Sequence, residues 1–163
     1  MEILREIFSI PPLEWPGVWC TLVAGGIIGL ERQIMGKPVG IRTSMLICTG
    51  TYAFIVVSNA VSGSMTDPSR IIGQIVTGIG FLGAGVMLAK DGIVVGVTSA
   101  SAIWMLAAIG IIIGSGYYYT GIKISFLTIV ILIGVDLVEH YFGGLGKGVY
   151  KKKPRIFRIF SGD

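Results

Sequence analysis

The chain has 163 residues, 53% of them hydrophobic and only 13% charged, with a net charge of +4. Soluble domains carry about 25% charged residues, and a mean hydropathy of +0.82 excludes a chain that covers its own surface in water. The basic balance does not point to nucleic acid, because most of the Lys and Arg sits in one short C-terminal run that membrane topology explains.

Cys20 and Cys48 lie apart in apolar stretches and make neither a zinc site nor a disulfide framework. The opening "MEILREIFSIPP" lacks the basic start, unbroken apolar run and small-residue cleavage site of a signal peptide.

Five apolar stretches follow in order: Gly17–Leu30, Ile41–Val61, Ile71–Leu88, Val95–Gly114 and Gly121–Val138. Each approaches the roughly 20 residues that span hydrocarbon. The first is short and takes in Trp15 and Pro16 at its entry. The third has the clearest start, since Asp67 can cap it and Pro68 suits the first helical position. Short polar or Gly-containing segments join the stretches; "AKDGIVVGVTS" carries Asp91-Gly92 as a turn signal, and Tyr117 to Tyr119 fit an aromatic belt. The expected fold is an all-α integral membrane bundle of about five transmembrane helices, over residues 1–140, with a basic tail at 141–163.

Lys and Arg set the orientation. Arg32, Lys37, Arg42, Lys90 and the tail fall on one side, and only Arg5, Arg70 and Lys123 on the other. The first side is expected to be cytoplasmic, which puts the N-terminus outside and the C-terminus inside.

Gly78-Ile79-Gly80-Phe81-Leu82-Gly83 matches G-x-G-x-x-G. A dinucleotide loop needs a strand before it and a helix after it, whereas this match lies inside a membrane-length helical run. No cofactor is expected. The glycines suit packing instead: between membrane helices, small residues permit the close contact that drives association. Asp67, Arg70, Gln74, Gly78, Phe81 and Gly85 share one face, with Gly80 and Gly83 roughly opposite. Gly25 with Gly29 and Gly110 with Gly114 repeat the G-x-x-x-G spacing in the first and fourth stretches.

Two polar clusters stand out. Asp67, Arg70 and Gln74 lie along the start of the third helix, where Gln74 needs protein or water beside it. Glu31 and Arg32 end the first helix, and Arg42 and Thr43 begin the second. Helical neighbours do not face one another, so the reading pairs Glu31 with Arg42. Asp136, Glu139 and His140 share a face of the fifth helix, but a solitary His at a membrane surface is ordinarily solvated, and no metal site is assigned. Trp104, inside the fourth stretch, is expected to pack, with its N–H seeking a partner. In the tail, Lys151, Lys152, Lys153, Arg155 and Arg158 interleave with Ile and Phe and suit anionic lipid. No nucleophile–base set appears, so no enzyme is expected.

The ordered set Gly29-Leu30-Glu31-Arg32, Gly40-Ile41-Arg42-Thr43, Asp67-Pro68-Ser69-Arg70, Gln74, Gly78 to Gly85, Gly96 to Ala100 and Ala102-Ile103-Trp104 resembles the MgtC/SapB family of bacterial inner-membrane proteins. The family often has Leu and Thr where Val97 and Ser99 stand. Its well-known members carry a soluble domain where this chain has a basic tail. The resemblance implies a role in growth under magnesium limitation and, in pathogens, survival inside macrophages. It also implies restraint of the F-type ATP synthase through contact with its membrane sector. Two functions are expected to compete: a regulator that binds itself, as a dimer, and other membrane proteins through small-residue faces; or a small dimeric transporter or channel for an ion or small solute, with the Asp67–Arg70–Gln74 stripe as its entry.

Overall fold

A computed structural model describes residues 8–63, 67, 69–90 and 93–141. The tail from 142 onward, with its Lys and Arg, lies outside the described residues, as do the side chains of Lys90, Asp136, Glu139 and His140.

Among the described residues, five helices and one hairpin follow in chain order: α1 Trp15–Ile34, α2 Ile41–Val61, α3 Ser69–Gly85, β1 Leu88–Lys90, β2 Ile93–Val95, α4 Val97–Gly114 and α5 Tyr118–Tyr141. Ile41–Val61, Val97–Gly114 and Tyr118–Val135 are long and apolar enough to cross a membrane. α1 runs past the expected Leu30 through Glu31 and Arg32, and α3 has 17 residues, so neither matches the other three in length and composition.

α1, α2, α4 and α5 form the bundle, and α3 leans on α4 at its edge. The core joins Thr21, Ala24 and Ile28 of α1 to Ser44, Cys48, Tyr52 and Ile55 of α2, and both to Ile103, Leu106, Ile109 and Ile113 of α4. Close approach depends on missing side chains. A Cβ on Gly25 would lie 2.8 Å from the Ser44 carbonyl oxygen, and one on Gly29 would lie 2.6 Å from Ile41 Cα. On α4, a Cβ on Gly110 would meet the Cys48 carbonyl oxygen at 2.6 Å, and one on Gly114 would meet Ile55 Cβ at 2.7 Å. These four glycines are the notches in which α2 nests. Thr21 and Thr49 add a hydroxyl contact of 3.0 Å across the α1–α2 seam.

At one end of the bundle, the Tyr52 hydroxyl accepts from the Glu14 N–H at 3.1 Å and donates to the Glu14 carbonyl at 3.2 Å. The Tyr118 hydroxyl donates to Glu14 Oε2 at 2.9 Å. This ties the starts of α1 and α5 to the second half of α2. At the other end, the hairpin between α3 and α4 pairs Leu88 with Val95, Ala89 with Val94 and Lys90 with Ile93. The sequence reading treated this segment as a plain connection. The strands flank Asp91-Gly92, a dipeptide that favours tight hairpins. Gly96 ends the hairpin at φ +93°, and a Cβ there would collide with the Val86 carbonyl oxygen, so the turn into α4 requires glycine.

Candidate functional site

α3 begins with local chemistry. Asp67 accepts from the Ser69 N–H at 2.9 Å and from the Ser69 hydroxyl at 2.7 Å. The Ser69 hydroxyl, the Ser69 amide and the Arg70 charge together hold the Asp67 carboxyl below its ordinary range. Asp67 and Arg70 form no ion pair among the described residues; the Arg70 N–H donates to the Asp67 carbonyl at 3.2 Å, and the two side chains interact through charge alone.

The helix then divides sharply. Ile75, Ile79 and Gly83 are buried against the bundle, with Ile71 and Ile72 half-buried beside them. Ile75 and Ile79 pack with Ile55, Ile103 and Ala107. Arg70, Gln74, Gly78, Phe81 and Gly85 are exposed, Phe81 by 81%. The stripe expected from helical periodicity is therefore the face turned away from the bundle.

The glycines of α3 behave unlike those of α1 and α4. A Cβ on Gly83 would touch that of Ala100 at 3.6 Å, an ordinary contact. Cβ atoms on Gly73, Gly78, Gly80 and Gly85 would meet nothing within 4 Å. Gly80, expected to share a packed side with Gly83, is exposed instead. The expectation that Gly78, Gly80 and Gly85 pack is thus corrected for the single chain: a helix set against one side of a bundle has only one packed side. What the chain leaves open is a face of small residues around the projecting Phe81, bordered at its start by Gln74 and Arg70. Thr77 does not add to its polarity, because its hydroxyl donates to the Gly73 carbonyl at 2.9 Å.

The second polar cluster lies at the opposite end of the bundle and does not join the first. Arg32 Nε lies 3.1 Å from Glu31 Oε2, with side-chain exposures of 3% and 7%. The contact is close but poorly aligned, so it acts as an ion pair without an aligned hydrogen bond, and Arg32 Nη1 has no hydrogen-bond partner among the described residues. Arg42 and Thr43 are exposed. The expected Glu31–Arg42 ion pair does not form among the described residues; Glu31 meets Arg32 instead. Both side chains lie on the buried arc of α1, where two long neighbours can converge even though their Cβ atoms diverge. Gln33 Oε1 reaches across the connection to accept from the Ile41 N–H at 3.3 Å. Trp104 is 54% exposed on the outer side of α4, which corrects the expectation that it packs within the chain.

Sequence reasoning missed Glu14, Tyr52 and Tyr118 as a connected set, because their sequence separations leave no local pattern. Among the described residues, no group of three or more His, Cys, Asp or Glu gathers as a metal site.

Comparison with known proteins adds the remaining evidence. The family model described as "MgtC family" matches residues 18–141. "Putative magnesium transporter YhiD" of Escherichia coli (strain K12) is 45% identical over 117 residues, covering 68% of this chain and 54% of that protein. "Protein MgtC" of Brucella abortus (strain 2308) is 36% identical over 141 residues, covering 85% of this chain and 59% of that protein. "Protein SapB" of Bacillus subtilis (strain 168) is 34% identical over 148 residues, covering 85% and 62%. The chain spans between about half and three-fifths of the length of these curated relatives. No solved structure matches the chain.

Proposed function

The chain belongs to the MgtC family, and on that premise we propose that it is a magnesium-linked regulator of the bacterial inner membrane that docks other membrane helices on the outward face of α3. The observation that carries this reading is the contrast among the glycines. Those of α1 and α4 are filled by α2, whereas Gly73, Gly78, Gly80 and Gly85 have open space above them. Lipid tails gain nothing from such notches that a flat Leu surface would not give, whereas another helix gains close van der Waals contact. Gln74 and Arg70 on the same face add polar groups that lie better against protein or water than against lipid.

All five helices cross the membrane in this reading, with the N-terminus outside, the C-terminus in the cytoplasm and the tail on anionic lipid. The occupants of the α3 face are a second copy of the chain and a membrane partner, for which the membrane sector of the F-type ATP synthase is the candidate. The link to magnesium rests on the family and on the name carried by the E. coli relative.

The test is capture of membrane partners by the tagged chain in mild detergent. A Cβ at Gly78 or Gly85 would meet nothing within 4 Å, so the variants Gly78→Leu and Gly85→Leu should insert and fold while capture falls at least tenfold. Unchanged capture in both variants would remove the reading. Magnesium flux in proteoliposomes that depends on Asp67 would favour the transporter instead.

A further inference from the structure

α3 turns its Ile75, Ile79 and Gly83 side to the bundle, and the opposite side carries two stripes. At about 100° per residue, Gly73, Thr77, Gly80 and Ala84 fall along one, and Gln74, Gly78, Phe81 and Gly85 along the other; all are exposed. The first stripe is a groove, because it holds nothing larger than threonine and a Cβ on Gly73 or Gly80 would meet nothing within 4 Å. The second carries one knob, Phe81, which is 81% exposed. We propose that a second copy of this chain occupies this face: two α3 helices run parallel about a two-fold axis along the membrane normal, and Phe81 of each copy seats in the Gly80 groove of the other. The inference rests on the reading of α3 as a docking face and names its resident occupant; any other helix reaches the face only by displacing the second copy.

Symmetry selects that occupant. Two copies in one membrane share a topology, so the axis of a closed pair follows the membrane normal and the α3 helices are parallel. Each copy then presents the same patch, which must complement itself. Groove and ridge lie on opposite sides of the line that runs from the bundle through α3. A two-fold rotation therefore sets the ridge of each copy against the groove of the other, at the same height. Phe81 comes level with Gly80 to within one residue, about 1.5 Å of rise. A partner of another sequence would have to supply both a knob and a groove at that height, whereas a second copy supplies them by rotation alone.

Charge and hydrogen bonding obey the same rotation. Arg70 is exposed and lies between the two stripes in helical projection, so a pair brings its two Arg70 residues together at the axis. Asp67, just before α3, offsets their repulsion. It makes no ion pair within its own chain among the described residues, and two reciprocal Asp67–Arg70 pairs can form across the axis. The Asp67 oxygens accept from Ser69, and a carboxylate oxygen has room for a second bond. Deeper along the helix, Gln74 on the ridge comes against Thr77 in the groove. The Thr77 hydroxyl donates to its own Gly73 carbonyl, which leaves its oxygen to accept from the Gln74 amide of the other copy. Acyl chains would offer Gln74 no such partner.

The experiment reads resonance energy transfer between donor-labelled and acceptor-labelled full chains in vesicles of phosphatidylethanolamine and phosphatidylglycerol, diluted stepwise with lipid. Wild type should pair. Gly80→Leu fills the groove and Phe81→Ala removes the knob; both positions face away from the bundle, so both variants should fold, and each alone should pair at least tenfold more weakly. Mixing the two is the decisive arm. The intact Phe81 of one chain then meets the open groove of the other, and the filled groove meets the missing knob. The mixed pair should recover to within about threefold of wild type, which a folding defect in either variant would not allow. A mixed pair as weak as the single variants, or wild type that stays monomeric at every dilution, would overturn the proposal. If wild type is monomeric while Gly78→Leu still lowers capture of another membrane protein, the two-fold pairing fails and the docking face stands; if Gly78→Leu leaves capture unchanged as well, both fail.

Discussion

At the scale of single residues, the pair Glu31–Arg32 carries the clearest energetic commitment. Both side chains are nearly excluded from solvent. Removing Glu31 leaves the Arg32 charge buried without that partner, which costs about 3–5 kcal/mol, whereas replacing both with apolar groups can be neutral. Glu31→Gln should therefore lower the thermal midpoint in detergent markedly, and Glu31→Leu with Arg32→Met should recover most of the loss. A double variant no better than Glu31→Gln would show that the two do not act as a unit. The sequence identifies both residues as needing explanation but misplaces the partner. The rule that helical neighbours diverge describes exposed surfaces; inside a wide buried arc, long side chains bend toward each other because no water competes. The Tyr52–Glu14–Tyr118 set was illegible for another reason: |i−j| of 38 and 104 is decided by tertiary packing alone.

At the scale of elements, the same residue type does two different things. A Cβ on Gly29 or Gly110 would approach α2 atoms to 2.6 Å, so Gly29→Ala and Gly110→Ala should each destabilise the chain by about 1–3 kcal/mol through overpacking. Gly78 has open space, so Gly78→Ala should leave the isolated chain as stable or up to about 1 kcal/mol more stable. Thermal unfolding of the three variants in detergent checks the contrast, and equal destabilisation in all three would refute it. Periodicity in the sequence grouped one side of α3 well, since Arg70, Gln74, Gly78, Phe81 and Gly85 are all exposed, but it put Gly80 with Gly83, which the bundle separates. It did not reveal that the bundle uses the Ile71–Ile75–Ile79–Gly83 side, since both sides looked equally able to pack. The hairpin escaped notice because three-residue strands give too little alternation to stand out, although Ile93-Val94-Val95 beside Asp91-Gly92 carries the β-branched and turn residues such an element needs.

At the scale of the molecule, the described residues form a four-helix bundle with a fifth helix set against one edge. Among them, three helices meet the length and hydropathy of membrane spans on their own. α1 ends in a buried ion pair, and α3 rises only about 26 Å over its 17 residues, close to the hydrocarbon thickness. A short, notched, partly polar helix at the periphery of an apolar bundle makes physical sense when something other than lipid lies against it. The most direct measurement is carbene footprinting in native membranes with a lipid-soluble diazirine, followed by mass spectrometry of unmodified protein. Phe81, Leu46 and Trp104 are 81%, 73% and 54% exposed on the single chain and would label in proportion if lipid covered all three. Occupation of the α3 face predicts that Phe81 labels several-fold less than Leu46 and Trp104. Labelling of Phe81 at or above the level of Leu46 would show that acyl chains lie against α3, and would contradict the central claim.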